Sequence, residues 1–412
     1  MARDLAAWRD IRLLSAASLI SDVSGEMLQS VLPFLLVAQG ATGLGLGIVG
    51  GGSEAVGHFF KLVGGYWGER SSRKKAIVAG GYGLASASRF GVALATAWPV
   101  SLAFRSLDRV GKGLRTAPRD AMLADVVPRN ARGRAFGLHR AADTAGAVIG
   151  IVIALVALAS FQSTDPKVQS SLESKIVLAG AVIGLTSVIP ILFVRRPRDA
   201  VQDGASPLEP LSPRYGGYLV VSGLFYLGHV SYLFFILRAA ALRWGGLPTA
   251  AGAVLLYLVF NLVYMAAAYP AGQLTDRFGR IRVLAFGYAL AAGSFALFAL
   301  QPSGWSIAAG FVVLGFSFAA TEGTGRALAA DLAGSSGRSH RLGWFHFTTG
   351  VATILGGLAA GLLWDAYGPW AAFAWGAGVS GLAFVALVAW AGFKEPPQRD
   401  HPEDASPNGV AG

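Results

Sequence analysis

The sequence predicts an all-α polytopic membrane protein made of two related six-helix halves, and three observations carry that prediction. The 412 residues are 54% hydrophobic and only 14% charged, where a soluble domain holds about 25% charged residues. The apolar residues fall in runs of about twenty, the length of a helix that crosses a bilayer. The two halves of the chain also repeat one another at an offset of 206 to 207 residues.

The spans are read in order near 11–38, 45–67, 76–97, 99–125, 135–160, 176–194, 215–240, 249–271, 283–300, 305–331, 343–364 and 370–392. The opening residues MARDLAAWRDIRLL lack the short apolar core and small-residue site of a cleaved signal, so the first span is expected to remain. It carries Asp22 and Glu26, four apart and therefore on one helix face. The second span places Glu54, His58 and Lys61 on one face. The fourth, from Ser101 to Asp125, holds Arg105, Asp108, Arg109, Lys112, Arg115, Arg119 and Asp120. One charge at a bilayer centre costs about 3 kcal/mol on insertion scales, so this helix must line a polar interior. The fifth carries His139, Arg140 and Asp143, followed by Gly146-x-x-x-Gly150, a spacing that lets helices approach closely.

A polar, proline-rich stretch at 195–214 reads as a linker between halves 1–194 and 215–393. The second half is poorer in charge: His229 in the seventh span, Asn261 in the eighth, Glu322 and Arg326 in the tenth, and His346 in the eleventh. The tail 394–412 has the composition of a disordered segment.

Charge placement sets topology. Basic residues crowd alternate loops, with Arg70, Arg73, Lys74 and Lys75 in one and Arg277, Arg280 and Arg282 in its counterpart, while the other loops offer only Lys167, Lys175 and Arg243. The positive-inside rule then puts both termini in the cytoplasm. The net charge of +11 is thereby a matter of topology, and no nucleic-acid partner is expected. With no cysteine, thiol and disulfide chemistry is excluded. No G-x-x-x-x-G-K-[ST] loop occurs, so ATP is not expected to drive the protein, and no catalytic or cofactor motif is found.

The repeat is direct. Residues 64–75 are echoed by 271–282, so Glu69 matches Asp276 and Arg70 matches Arg277; Asp125 matches Asp331, Asp22 matches His229, Glu54 matches Asn261 and Gly137 matches Gly343. Two repeats joined by a mid-chain linker describe a secondary transporter with its site at the repeat interface.

These residues also carry a family resemblance. Gly272, Leu274, Asp276, Arg277, Gly279 and Arg280 fit the loop signature G-x-L-x-D-R-x-G-R-[KR] of the major facilitator superfamily, and Gly65, Glu69 and Arg70 form a looser first copy. The fourth-helix signature R-x-x-Q-G appears as Arg109 to Gly113, with Lys112 in place of glutamine. The chain resembles that superfamily over nearly all its length. The resemblance implies alternating access between two bundles, a central cavity bordered by helices one, two, four and five with their repeat mates, and a latch in which Arg70 meets Asp125 and Arg277 meets Asp331. Superfamily drug antiporters carry a proline after the second glycine of the fifth-helix pattern; Ile151 stands there, a departure from the antiporter type.

The expectation is thus an inner-membrane transporter, a monomer in the lipid bilayer, that exchanges protons for a small solute and exports it. Asp22 or Glu26 is the expected proton carrier, because two carboxylates one turn apart raise one another's affinity for a proton, and Arg109 is the leading cation at the site. Glu54 with Lys61, and Asp108 with Arg105, are equally readable as pairs that merely neutralise one another. Three rivals are an organic-anion transporter gripping its substrate with Arg105, Arg109 and Lys112, a divalent-metal transporter using Asp22, Glu26, His139 and His229, and a membrane sensor that moves no solute. No resident metal or cofactor is expected.

Overall fold

In the computed structural model, residues 2–71, 73–126, 132–161, 163, 165–195, 211–242, 247, 249–300, 303–333 and 338–392 are described, and 91% of these described residues are helical. Most of the expected linker and the whole tail from 394 lie outside the described residues. The helices follow as rods: α1 (Ala2–Ala38), α2 (43–70), α3 (Lys74–Leu94), α4 (Trp98–Val126), α5 (Arg132–Ser160), α6 (Pro166–Phe193), α7 (Pro213–Ala240), α8 (Thr249–Phe278), α9 (Arg280–Ala299), α10 (Gly304–Leu332), α11 (Arg338–Tyr367) and α12 (Pro369–Ala391). Among the described residues nine of these are long and apolar enough to cross a membrane. The exceptions, α2, α3 and α4, are the polar rods that hold or support the buried charges.

Three rods are interrupted. α2 contains a π-helical turn over Ile48–Gly52, the kind of bulge that concentrates at functional sites. α6 begins ten residues before the expected start at 176, because the Asp165 side chain caps Lys167 N and Pro166 occupies the first turn. α7 breaks after Leu227 and restarts at Tyr232, where Ser231 caps the second segment. α8 runs past its expected end at 271, and Gly279, at φ +85°, makes the turn into α9 that an L side chain would strain.

Packing repeats as the sequence does. In the first half α1 packs on α5, α2 on α4, and α3 on α4 and α6; in the second, α7 packs on α11, α8 on α10, and α9 on α10 and α12. Between halves α2 meets α11 and α8 meets α5, two contacts that the same internal symmetry exchanges. The α1–α5 seam uses the glycine pair found in the sequence: a methyl group on Gly146 or Gly150 would run into the carbonyls of Leu19 and Val23. Gly150→Leu is therefore expected to lower the thermal midpoint of the detergent-purified protein by an overpacking cost of about 1–3 kcal/mol. A wild-type melting curve for that variant would rule the tight seam out.

Candidate functional site

A cavity of about 1190 Å³ lies between the halves. Ten of the expected residues line it: Asp22 and Glu26 of α1, Glu54 and His58 of α2, Arg109 and Lys112 of α4, Asp143 of α5, His229 of α7, Asn261 of α8 and Glu322 of α10. The repeat mates Asp22 and His229, and Glu54 and Asn261, thus face one space. The aromatic side chains Tyr226, Tyr232, Tyr257, Phe260, Tyr264 and Phe318 supply much of the remaining wall.

Five expected residues stand elsewhere. Arg105 and Asp108 are buried behind the wall, where Arg105 Nη1 donates to Asp108 Oδ2 at 2.9 Å and Arg89 Nε donates to Asp108 Oδ1 at 3.0 Å. His139 stands behind Asp143, with Nε2 3.6 Å from its Oδ1. Arg326 is held on its own helix by Glu322 at 3.3 Å, and Lys61 is not among the residues that line the cavity. The expected Glu54–Lys61 pair is replaced by Glu54 with Arg109, at 2.6 Å across α2 and α4. Neighbouring helices bring the two groups closer than two turns of one helix can.

The cations of α4 are already occupied. Arg109 holds Glu54 and donates to Gln29 Oε1 at 3.0 Å, and Arg105 donates to the same oxygen at 3.2 Å. Lys112 stands 3.8 Å from Asp22. Glu26 differs from the other lining carboxylates: its oxygens accept from Gln29 Nε2 and, at 3.0 Å, from the Tyr257 hydroxyl of the opposite half. Both donors are neutral. A second cross-half contact runs from Arg140 to Tyr264 Oη at 3.3 Å, and Tyr264 in turn donates to Glu322.

At the end of the molecule away from the basic loops, α2 and α11 close on each other. Gly43, Gly47 and Gly51 lie against Gly361, Gly357 and Thr353 so tightly that a Cβ on any of the three would strike backbone. Asp365 fastens the seam by accepting from Gly43 N at 2.6 Å and Leu44 N at 2.8 Å, a carboxylate at the positive end of a helix. His58 and His346 also meet across this interface, ring centroids 5.9 Å apart.

The gating residues are placed less as expected. Asp331 pairs with Arg280 at 2.8 Å, and Arg277 lies over the Phe278 ring at 5.4 Å, so the expected Arg277–Asp331 pair is not formed. Arg280, at the first turn of α9, reaches the end of α10 that Arg277, on the last turn of α8, does not. The side chains of Glu69, Arg70 and Asp125 lie outside the described residues. Asp276 has no hydrogen bond or ion pair among the described residues. Close approach falls on Gly64 and Gly68, which press on Leu114 and Pro118 of α4, whereas Gly65 and Gly272 have room. The metal alternative fails on geometry: among the described residues no three His, Cys, Asp or Glu side chains group together, so Asp22, Glu26, His139 and His229 form no ligand set.

Comparison with known proteins agrees with this architecture. The family model for the Major Facilitator Superfamily matches residues 14–257 and 219–410. An uncharacterised MFS-type transporter of Methanocaldococcus jannaschii is 31% identical over 366 residues, covering 86% of this chain and 88% of that protein. An uncharacterised protein of Mycobacterium tuberculosis is 30% identical over 377 residues, covering 88% of each chain. Among solved structures, a variant of the nucleoside transporter NupG superposes with TM-score 0.77 at 16% identity, covering 94% of this chain and all of that one. A POT family transporter, crystallised with a conjugated peptide, superposes with TM-score 0.72 at 14% identity, covering 92% and 95%. With the repeat, the loop signature and the two-bundle packing in place, the chain is a multi-pass membrane protein that belongs to the Major Facilitator Superfamily.

Proposed function

We propose that this transporter couples proton movement to the export of a small organic solute that is cationic or neutral, with Glu26 as the proton carrier. The observation that carries this reading is the setting of Glu26, a cavity carboxylate hydrogen-bonded, among the described residues, only by the neutral donors Gln29 and Tyr257, one of them from the opposite half. An ionised Glu26 accepts both hydrogen bonds and ties α1 to α8. A protonated Glu26 loses charge-assisted strength at both, so the proton reports directly to the interface that must open and close. The cavity lining supports the substrate class. Its carboxylates Asp22, Glu26, Glu54, Asp143 and Glu322 outnumber Arg109, Lys112 and Arg140, and aromatic walls suit a lipophilic cation.

The test uses proteoliposomes with a trapped pH dye and a panel of lipophilic cations, neutral solutes and organic anions. Solute-dependent proton flux is expected with the first two classes. Glu26→Gln is expected to keep downhill exchange and lose accumulation against a gradient; a variant that still accumulates solute in response to pH would remove Glu26 from the role. One observation favours organic-anion exchange instead, since the buried Arg109 Nε has no hydrogen-bond partner among the described residues. Anion-dependent flux that Arg109→Ala abolishes would establish that reading.

A further inference from the structure

Away from the central cavity, on the face of the second half turned toward the membrane, α8, α9 and α10 border a trough of about 670 Å³. Ala271 of α8, Val283 of α9 and Ala319 and Ala320 of α10 are its buried lining, and Leu274, Phe286 and Phe316 stand exposed along its rim. On α8 the lining runs from Val263 to Phe278, about 22 Å at 1.5 Å per residue, roughly three-quarters of the thickness of a bilayer's hydrocarbon core.

A single charged side chain borders this trough. Arg282 lies in the first turn of α9, at the end of the molecule where the basic loops gather. It is exposed and, among the described residues, has no ion pair or hydrogen bond. Its neighbours are engaged, Arg280 by Asp331 at 2.8 Å and Arg277 by the Phe278 ring. An apolar trough long enough to take an extended acyl chain, with a free guanidinium at its headgroup end, is complementary to a molecule with a hydrocarbon tail and an anionic head.

We infer that this trough is a binding site for an anionic phospholipid, with one acyl chain lying along α8 between Phe286 and Phe316 and the phosphate at Arg282. Hydrocarbon satisfies a wall that offers no polar partners, so chain burial alone would accept any lipid. Arg282 adds the selection, because a basic residue at the membrane surface favours an anionic lipid. A guanidinium also suits the phosphate through paired N–H donors. The site is independent of the solute pathway, since no residue lines both cavities.

The test is native mass spectrometry of the full-length, delipidated protein titrated with dioleoyl phosphatidylglycerol or dioleoyl phosphatidylcholine. One phosphatidylglycerol is expected to be retained about five-fold more tightly than phosphatidylcholine. Arg282→Gln, a surface change that leaves packing intact, is expected to level the two lipids. Ala267→Trp, which fills the trough, is expected to displace the retained lipid of either kind. Equal retention of both lipids by the wild type, or a phosphatidylglycerol preference that survives in Arg282→Gln, would overturn the assignment. So would displacement of the lipid by glycerol phosphate alone, because the chain would then contribute nothing.

Discussion

Asp108→Asn is expected to destabilise the protein by about 3–5 kcal/mol, the usual cost of removing one partner from a buried ion pair. The carboxylate is 1% exposed and bridges two guanidinium groups, Arg89 from α3 and Arg105 from its own helix. Asparagine keeps the volume and one acceptor but removes the only carboxylate that, among the described residues, pairs with either guanidinium. The nearby carboxylate cannot substitute, because Glu54 is already held by Arg109, and the 2% exposed Arg115, resting on the Tyr82 ring at 4.0 Å and donating to Ser21, adds further buried positive charge. A thermal melt of the detergent-purified variant would show a markedly lowered midpoint. Removing one cation as well, in Arg89→Gln with Asp108→Asn, should recover part of it, since less uncompensated charge then stays buried. A single variant that melts like the wild type would mean that the Arg89–Asp108–Arg105 bridge is not a strut of the first half.

Arg89 shows where the sequence stops being legible. Each charge in the fourth span could be read as buried, because a helix with that many ionisable groups has no place facing lipid. Arg89 was passed over as a lone basic residue in an otherwise apolar third span, yet its isolation was the available signal. Gln29 was missed because an amide carries no charge, although it stands one turn from Glu26 and supplies the oxygen that Arg105 and Arg109 share. Asp365 falls one residue beyond the eleventh span as read from the sequence, 343–364, whereas the helix continues to Tyr367.

Helix positions were readable because apolar length is a local property. Pairings between helices were not: Glu54 with Arg109 rather than Lys61, and Asp331 with Arg280 rather than Arg277, depend on how rods pack. The breaks in α2 and α7 belong with those pairings, since the π turn and the Ser231 cap face each other, and a Cβ on Gly50 would strike the Ser231 side chain. The repeat bridges the two levels. Its offset is visible in the sequence, and it returns in the structure as matched packing and as repeat mates facing one cavity.

The seam between α2 and α11 carries the other large expected effect, on conformation. Gly47→Val would place side-chain atoms where the Gly357 carbonyl now stands. The obstacle is backbone on a packed helix, so no rotamer change relieves it. Overpacking of this kind costs about 1–3 kcal/mol, equivalent to a shift of about 5- to 150-fold between a closed and a parted form of this end. Each half can keep its own packing while the seam opens, so the strain is expected to appear as a changed population rather than as unfolding.

The absence of cysteine makes this directly measurable. Thr353, 7% exposed, is the innermost member of the seam and lines the cavity, and Thr353→Cys would give a single reporter thiol. A membrane-impermeant maleimide applied from the Gly43 side is expected to label it slowly in the otherwise native chain and at least five-fold faster with Gly47→Val, while solute transport falls. If Gly47→Val lowers the melting midpoint and leaves labelling unchanged, the seam is fixed packing and this end opens elsewhere. Faster labelling at an unchanged midpoint would instead identify the glycine face, fastened by Asp365, as the gate on that side of the cavity.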